Sequence, residues 1–205
     1  IEDPVEYTMP LVQQVEVNEM AGITFANTIR SFLRQDPDVM LIGEVRDEET
    51  AGLGMRAALT GHLVFSTVHT NDAIGAVVRL RDLGVEDFII ASTIRGVVSQ
   101  RLLRLLCPHC KRPADRDEAW NGIEPGQIFE RVGCALCRQT GYIGRSAIAE
   151  VLQVDKDLAN MIGEGRSISE IERAARERGM CSLSDEGVRL VASGATDIAE
   201  YERVL

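Results

Sequence analysis

The chain has 205 residues, 45% of them hydrophobic and 26% charged, which supplies a buried core and sets aside a disordered polymer; the length suits one main domain with a smaller appendage. A formal charge of −10 and an aromatic content of 4% argue against a general nucleic-acid binder, because phosphate neutralisation needs a basic face and base stacking needs rings, and leave room only for local basic patches. No apolar run approaches the roughly 20 residues that cross a bilayer, so a soluble product is expected, and Ile1 is not an initiator residue, which points to a start inside a longer protein.

In chain order, residues 1–106 alternate short apolar runs with helical stretches, the rhythm of an α/β domain around a largely parallel sheet. Ile1-Glu2-Asp3-Pro4-Val5-Glu6-Tyr7 places adjacent carboxylates before a proline that stops regular pairing, a pattern that is also common on plain surfaces. Val39-Met40-Leu41-Ile42 reads as a buried strand, and Glu44 stands just past its carboxyl end, the edge where open α/β sheets bind ligands. A carboxylate there orients a water for attack on a phosphate or holds magnesium through its water shell; the plainer reading is the start of a loop. Residues 48–59 are rich in Ala, Leu and Met and stop at Gly61, as the crossover helix of a β-α-β unit would. Residues 63–68 form the second strand, parallel to the first, and the successive apolar positions of both predict helices on both sheet faces. Ser66, Thr67, His69, Thr70 and Asn71 cluster at its far end, where an imidazole can donate to a phosphate oxygen. His62, at the strand entrance, reads as structural, and side-chain alternation places His69 on the opposite face from it.

Asp72 is suited to cap a helix through about residue 83, with Gly84 ending it. Residues 87–106 carry Phe88, Ile89, Ile94, Val98, Leu102 and Leu105 at helical spacing, which predicts one long helix with these as core. Arg95, Arg101 and Arg104 fall among them as solvated or paired groups, or as contacts to a neighbour or nucleotide. Residues 107–137 contain Pro108, Pro113 and Pro125 and read as a loop-rich excursion. A strand over 146–152 precedes a helical tail in which Ser167-Ile168-Ser169-Glu170 is a capping box and Gly179 and Gly194 punctuate.

Four of the five cysteines form two C-x-x-C pairs, Cys107 with Cys110 and Cys134 with Cys137, separated by residues 111–133. Two thiolates from each knuckle complete a tetrahedral S4 shell, closed and therefore structural, for which zinc is the expected metal. Disulfides and uncoordinated thiols are the alternatives; His109 could replace one thiol, and Cys181 has no partner in the pattern.

Taken together, Glu2-Asp3-Pro4-Val5-Glu6-Tyr7 resembles the aspartate box of the type II secretion and type IV pilus ATPase family. Arg34-Gln35-Asp36-Pro37-Asp38 through Gly43-Glu44-Val45-Arg46-Asp47 resembles its Walker B region, and Thr60-Gly61-His62 through His69-Thr70-Asn71-Asp72-Ala73 its histidine box. The likeness continues through Gln100-Arg101-Leu102, the cysteines and Gly141-Tyr142-Ile143-Gly144-Arg145, and more loosely to Gly194-Ala195-Thr196-Asp197. It implies part of a RecA-like P-loop ATPase core over residues 1–106, a four-cysteine zinc module over 107–140, and a strand with a small helical subdomain over 141–205. It implies a hexamer on the cytoplasmic face of the inner membrane that hydrolyses ATP with Mg2+ and drives pilin or pseudopilin assembly beside platform proteins. Carried onto these positions, Glu44 is the base or water-positioning group, Glu2 and Asp3 serve magnesium and the attacking water, and His69 senses the γ-phosphate. Gly43, Arg34 and Thr67 are placed at the nucleotide, with Gly43 standing where many P-loop enzymes carry a magnesium-binding Asp. A four-cysteine module occurs in the assembly and secretion branches and not in the retraction branch, which favours assembly. The phosphate loop G-x-x-x-x-G-K-[ST] does not occur in these residues, so this chain alone is expected to be inactive. The competing readings are a zinc-stabilised interaction module without ATPase activity and a zinc-ribbon nucleic-acid binder, the latter opposed by the acidic balance.

Overall fold

A computed structural model describes residues 1–205 as an α/β chain in two units: Ile1–Val97 with Gln153–Glu177, and Val98–Leu152 with Arg178–Leu205. In the first unit, Thr24 caps α1 (Phe25–Phe32) by accepting from the Asn27 amide at 3.2 Å. Strand β1 (Val39–Ile42), helix α2 (Glu48–Leu59) and strand β2 (Leu63–Ser66) then form the expected crossover, with β1 and β2 parallel in register from Val39 opposite Leu63 to Ile42 opposite Ser66. Asp47 starts α2, its carboxylate accepting from the Thr50 amide at 2.8 Å and the Thr50 hydroxyl at 3.1 Å. Gly54, in the middle of α2, is a helix-weakening residue with a packing reason: a Cβ there would stand 3.1 Å from Cδ1 of Ile42, so its absence lets helix and strand close up. Met40, Ile42, Ala51, Ala57 and Ile29 are buried in this layer.

The other sheet face differs from expectation. Val39, Leu41, Leu63 and Phe65 are each 44–54% exposed, so helices cover one face of the β1–β2 pair and not both. Successive apolar residues mark a strand meant for burial on both sides, and they do not say whether both covers are present.

Helix α3 (Gly75–Asp82) begins where Asp72 accepts from the Gly75 amide at 2.6 Å, and α4 (Asp87–Thr93) follows. Helices α5 (Lys156–Gly163) and α6 (Ile168–Glu177) complete this unit, which buries Ile90, Leu158, Ile162 and Ile171. The Ser167–Glu170 box is present: the Ser167 amide and hydroxyl donate to Glu170 at 3.1 and 2.7 Å.

The single helix predicted over 87–106 is corrected. Helix α4 stops at Thr93, Ile94 is extended, and β3 (Gly96–Leu106) takes over. At the stop, the Ser92 and Thr93 hydroxyls donate back to the carbonyls of Phe88 and Ile89 at 2.6 and 2.7 Å, and a glycine and two valines follow. In β3 the buried residues are Ser99, Leu103 and Leu106, while Val98 and Leu102 are exposed; in α4 the fully buried residue is Ile90, and Phe88 is exposed.

The second unit pairs β3 with β6 (Tyr142–Gln153), which contains the strand expected over 146–152, and sets β4 (Arg112–Pro113) antiparallel to β5 (Phe129–Glu130). Helices α7 (Leu183–Ala192) and α8 (Ile198–Val204) follow. Leu103, Ile148 and Leu183 form one core cluster; Ile123, Ile128 and Val191 form another, with Trp120 edge-on to Tyr201 at 4.9 Å. The 194–197 run joins α8 to β3. The Leu106 amide donates to the Ala195 carbonyl at 2.8 Å, the Thr196 hydroxyl donates to the Arg104 carbonyl at 2.9 Å, and Asp197 caps α8 through the Glu200 amide at 2.8 Å. No helix is long and apolar enough to cross a membrane.

Candidate functional site

The site is built at the carboxyl ends of β1 and β2. The chain's first residues run beside β1: Ile1 N donates to the Leu41 carbonyl, and the Gly43 amide donates to the Ile1 carbonyl, both at 2.8 Å. On its other side this segment pairs with 15–17, through Glu2 N to Val15 O at 3.1 Å and Val17 N to Glu2 O at 3.0 Å. Gly43 is required by that approach, since a Cβ would lie 3.1 Å from the Ile1 carbonyl oxygen and 3.2 Å from Cα of Glu2. Beyond Ser66, the Thr67 hydroxyl donates to the Gly43 carbonyl at 2.7 Å and the Thr67 carbonyl accepts from the Val45 amide at 2.9 Å. Three backbone segments are thereby locked together around Glu44.

The Glu44 side chain is 13% exposed and uses both oxygens. Its Oε1 pairs with Nη2 of Arg46, and its Oε2 meets Nε2 of His69 at 3.1 Å. Arg46 turns its Nη1 to Oδ2 of Asp3 at 3.6 Å. The Arg46 guanidinium holds the Glu44 carboxyl below its ordinary value, partial burial opposes this, and the His69 hydrogen bond adds to the lowering. Glu44 in turn holds Arg46 firmly charged. An ionised carboxylate touching an exposed imidazole at a sheet edge is equipped to orient a water and to pass a proton.

Glu44, His69 and Asp3 therefore come together, and the backbones of Glu2, Gly43 and Thr67 frame them. The Glu2 carboxylate faces elsewhere, accepting from Nε2 of Gln14 at 2.9 Å. Arg34 lies exposed in the turn after α1 and makes no ion pair with this cluster. Arg46 was named in the sequence only within the Gly43–Asp47 run and given no role; the available signal was its place two residues past Glu44. His69 escapes the alternation argument because β2 ends at Ser66. His62 is structural, its Nδ1 lying 2.9 Å from the Ala57 carbonyl.

In the second unit the four cysteine sulfurs all lie within 4.8 Å of one another. Separations of 3.9 Å for Cys107–Cys134, 3.8 Å for Cys110–Cys137 and 3.7 Å for Cys134–Cys137 match the edge of about 3.8 Å expected for a tetrahedron of thiolates around zinc. These sulfurs are too far apart for disulfides. Amides of Gly133, Cys134 and Gly141 point at the sulfurs of Cys110, Cys137 and Cys137 at 3.3, 3.1 and 3.3 Å. Burial pushes the Cys110 thiol up to about 11. Burial also penalises Cys137, but the Cys134 and Gly141 amides outweigh it and bring that thiol to about 6. The donor set fits a closed metal centre. His109 is not part of it, and Cys181 lies apart, with its sulfur 3.6 Å from Nη2 of Arg189.

A family model described as "Type II/IV secretion system protein" matches residues 1–203. The chain is 46% identical over 204 residues to the type II secretion system protein HxcR of Pseudomonas aeruginosa, covering 100% of this chain and 41% of that protein. It is 45% identical over 208 residues to the type IV pilus assembly ATPase PilB of Thermus thermophilus, covering 98% of this chain and 23% of that protein. Among solved structures, the pilus retraction motor PilT with bound ADP matches at a TM-score of 0.71 and 27% identity, over 98% of this chain and 50% of that one. The chain thus spans half or less of the length of each of these relatives.

Proposed function

Because this chain belongs to the type II/IV secretion system protein family, we propose that it is part of an ATPase that couples ATP hydrolysis to pilin or pseudopilin assembly. The observation that carries the reading is the Glu44–His69 contact of 3.1 Å at the carboxyl end of a parallel strand pair, in a chain whose relatives include named assembly ATPases. Glu44 is the group that orients and deprotonates the attacking water. His69, 86% exposed on its side chain, leaves Oε2 of Glu44 to donate to the γ-phosphate. Asp3, with Glu2 on the same segment, serves the water shell of magnesium, and the Thr67–Gly43 bond keeps the two strand ends in register for both ligands. Arg34 approaches nucleotide from outside the Glu44 cluster. The working form is a hexamer at the cytoplasmic face of the inner membrane. The partial RecA-like core expected over residues 1–106 falls within the first unit only as far as Val97, and this chain by itself does not turn over ATP.

Zinc at Cys107, Cys110, Cys134 and Cys137 staples the proline-rich excursion and supplies no chemistry to the reaction, since four thiolates close its shell. Metal content of the reduced protein, measured by mass spectrometry, is expected near one zinc per chain; a value near zero overturns the centre. For the ATPase reading, the full-length gene product carrying Glu44→Gln is expected to lose at least about a hundredfold in hydrolysis while still binding ATP. Turnover at the unsubstituted rate would defeat it. The competing reading, a zinc-stabilised interaction module without ATPase activity, is favoured by the cysteine geometry alone and gains if the full-length protein hydrolyses no ATP.

A further inference from the structure

We propose that Arg46 is a positioning residue: it pins one oxygen of Glu44, ties that glutamate to Asp3, and leaves the other oxygen as the exchangeable one. This rests on the ATPase reading above and adds a role to a residue which that reading leaves unassigned.

Arg46 is restrained at both its backbone and its guanidinium. The preceding residue, Val45, is buried and donates its amide to Thr67, and the following residue, Asp47, is the cap of α2. The Arg46 carbonyl accepts from Nη2 of Arg79 at 3.3 Å. With its backbone held at three points, its side chain, 58% exposed, reaches back to Oε1 of Glu44 and across to Asp3. The acidic groups facing its side chain are Glu44, Asp3 and, further off, Glu19, and the Arg79 guanidinium reaches its carbonyl.

The two Glu44 oxygens are therefore not equivalent. Oε1 is held by a guanidinium whose planar fork cannot lose its proton, whereas Oε2 is held by an imidazole on an irregular, exposed segment. When His69 moves away, Oε2 alone is vacated, and a water taking its place is aimed by a carboxylate whose other oxygen Arg46 still holds. The second nitrogen of the fork couples this geometry to Asp3, so the two acidic segments hold one spacing. An ordinary surface ion pair would set no such constraint and would contribute almost nothing measurable.

The test uses the full-length gene product with Arg46→Gln and Arg46→Lys, reading ATP hydrolysis against pH. For Arg46→Gln, kcat is expected to fall tenfold or more, on the order expected for a misplaced reacting group, with KM for ATP changed less than about twofold. The acidic limb of kcat should move to higher pH, because Glu44 loses the partner that keeps it ionised. Arg46→Lys, a point charge without a fork, should lie between the two. An unchanged kcat, a fall in kcat with the acidic limb unmoved, or a rise in KM with kcat retained each overturns the proposal, the last by making Arg46 a ligand contact. If circular dichroism shows that Arg46→Gln does not fold, Arg46→Lys decides: unsubstituted values of kcat and limb refute the role. Glu44→Gln run in parallel separates the two levels, since its retained turnover defeats the ATPase reading, and its loss beside an unaffected Arg46→Gln defeats only the role of Arg46.

Discussion

Glu44 and Glu200 are both carboxylates held between two nitrogen-bearing side chains, one in each unit, and they illustrate what separates an acid with an exchangeable partner from a saturated one. Glu44 meets Arg46 on one oxygen and His69 on the other, at a strand end open to solvent. Glu200 is fully buried in the first turn of α8 and receives five donors. Oε1 accepts from the Arg104 amide at 2.9 Å and Nη2 of Arg203 at 2.6 Å, and Oε2 accepts from Nε and Nη2 of Arg104 at 2.9 and 2.5 Å and Nε of Arg203 at 2.7 Å. Arg104 also stacks over Tyr142 with its carbon 4.1 Å from the ring centre, and the Tyr142 hydroxyl donates to Asp197 at 2.8 Å. Saturation leaves Glu200 with no oxygen to offer a ligand. Two partners, one of them an exposed imidazole, leave Glu44 able to exchange.

The comparison is broken most directly by removing each charge in turn. Glu200→Gln should cost about 3 kcal/mol of unfolding free energy, the low end for breaching a buried pair because both arginines are partly wet. Glu44→Gln should cost less than about 1 kcal/mol, as for a pair with exposed partners, so equal losses in denaturant titrations would erase the distinction. Tyr142→Phe should cost about 1 kcal/mol, from the hydrogen bond to buried Asp197. The smallest effect is in pH. Arg203 and Arg104 hold Glu200 well below the usual carboxylate range against the opposing penalty of burial. A depressed folded value means its stabilisation is complete above the ordinary glutamate range and is lost as pH falls through and below it. Thermal melts of the unsubstituted protein should therefore lose stability on acidification more steeply than those of Glu200→Gln, and parallel curves would count against the assignment.

Much of the first unit was legible because its signals are local. The β1–α2–β2 crossover, the Ser167–Glu170 box and the stop after residue 83 each depend on neighbours within a few positions and were read from them, and Asp72, expected as a cap, accepts from the first amide of α3 while Ile74 holds the cap position. The cysteine cluster was legible for the same reason: two tight knuckles bring their own pairs together, and only the meeting of the pairs needed the fold. Residues 96–106 were misread because an apolar run with arginines at intervals satisfies a period of 3.6 as well as one of 2. Pairing with β6, residues away in sequence, settled the matter. Arg104 shows the cost of that misreading, since on a strand its amide and its guanidinium both reach Glu200.

What the sequence by itself determined is the chemistry on offer: the acids at the chain start and after β1, the histidine after β2, four thiols in two pairs, and the caps that punctuate the helices. Tertiary structure alone decided who touches whom. It turned the Glu2 carboxylate to Gln14, drew Asp3 to Arg46, left Arg34 outside, and uncovered one sheet face. The physical reason is range: caps and knuckles act over three or four residues of chain, whereas an ion pair such as Asp3 to Arg46 depends on the packing of segments that the sequence only places far apart.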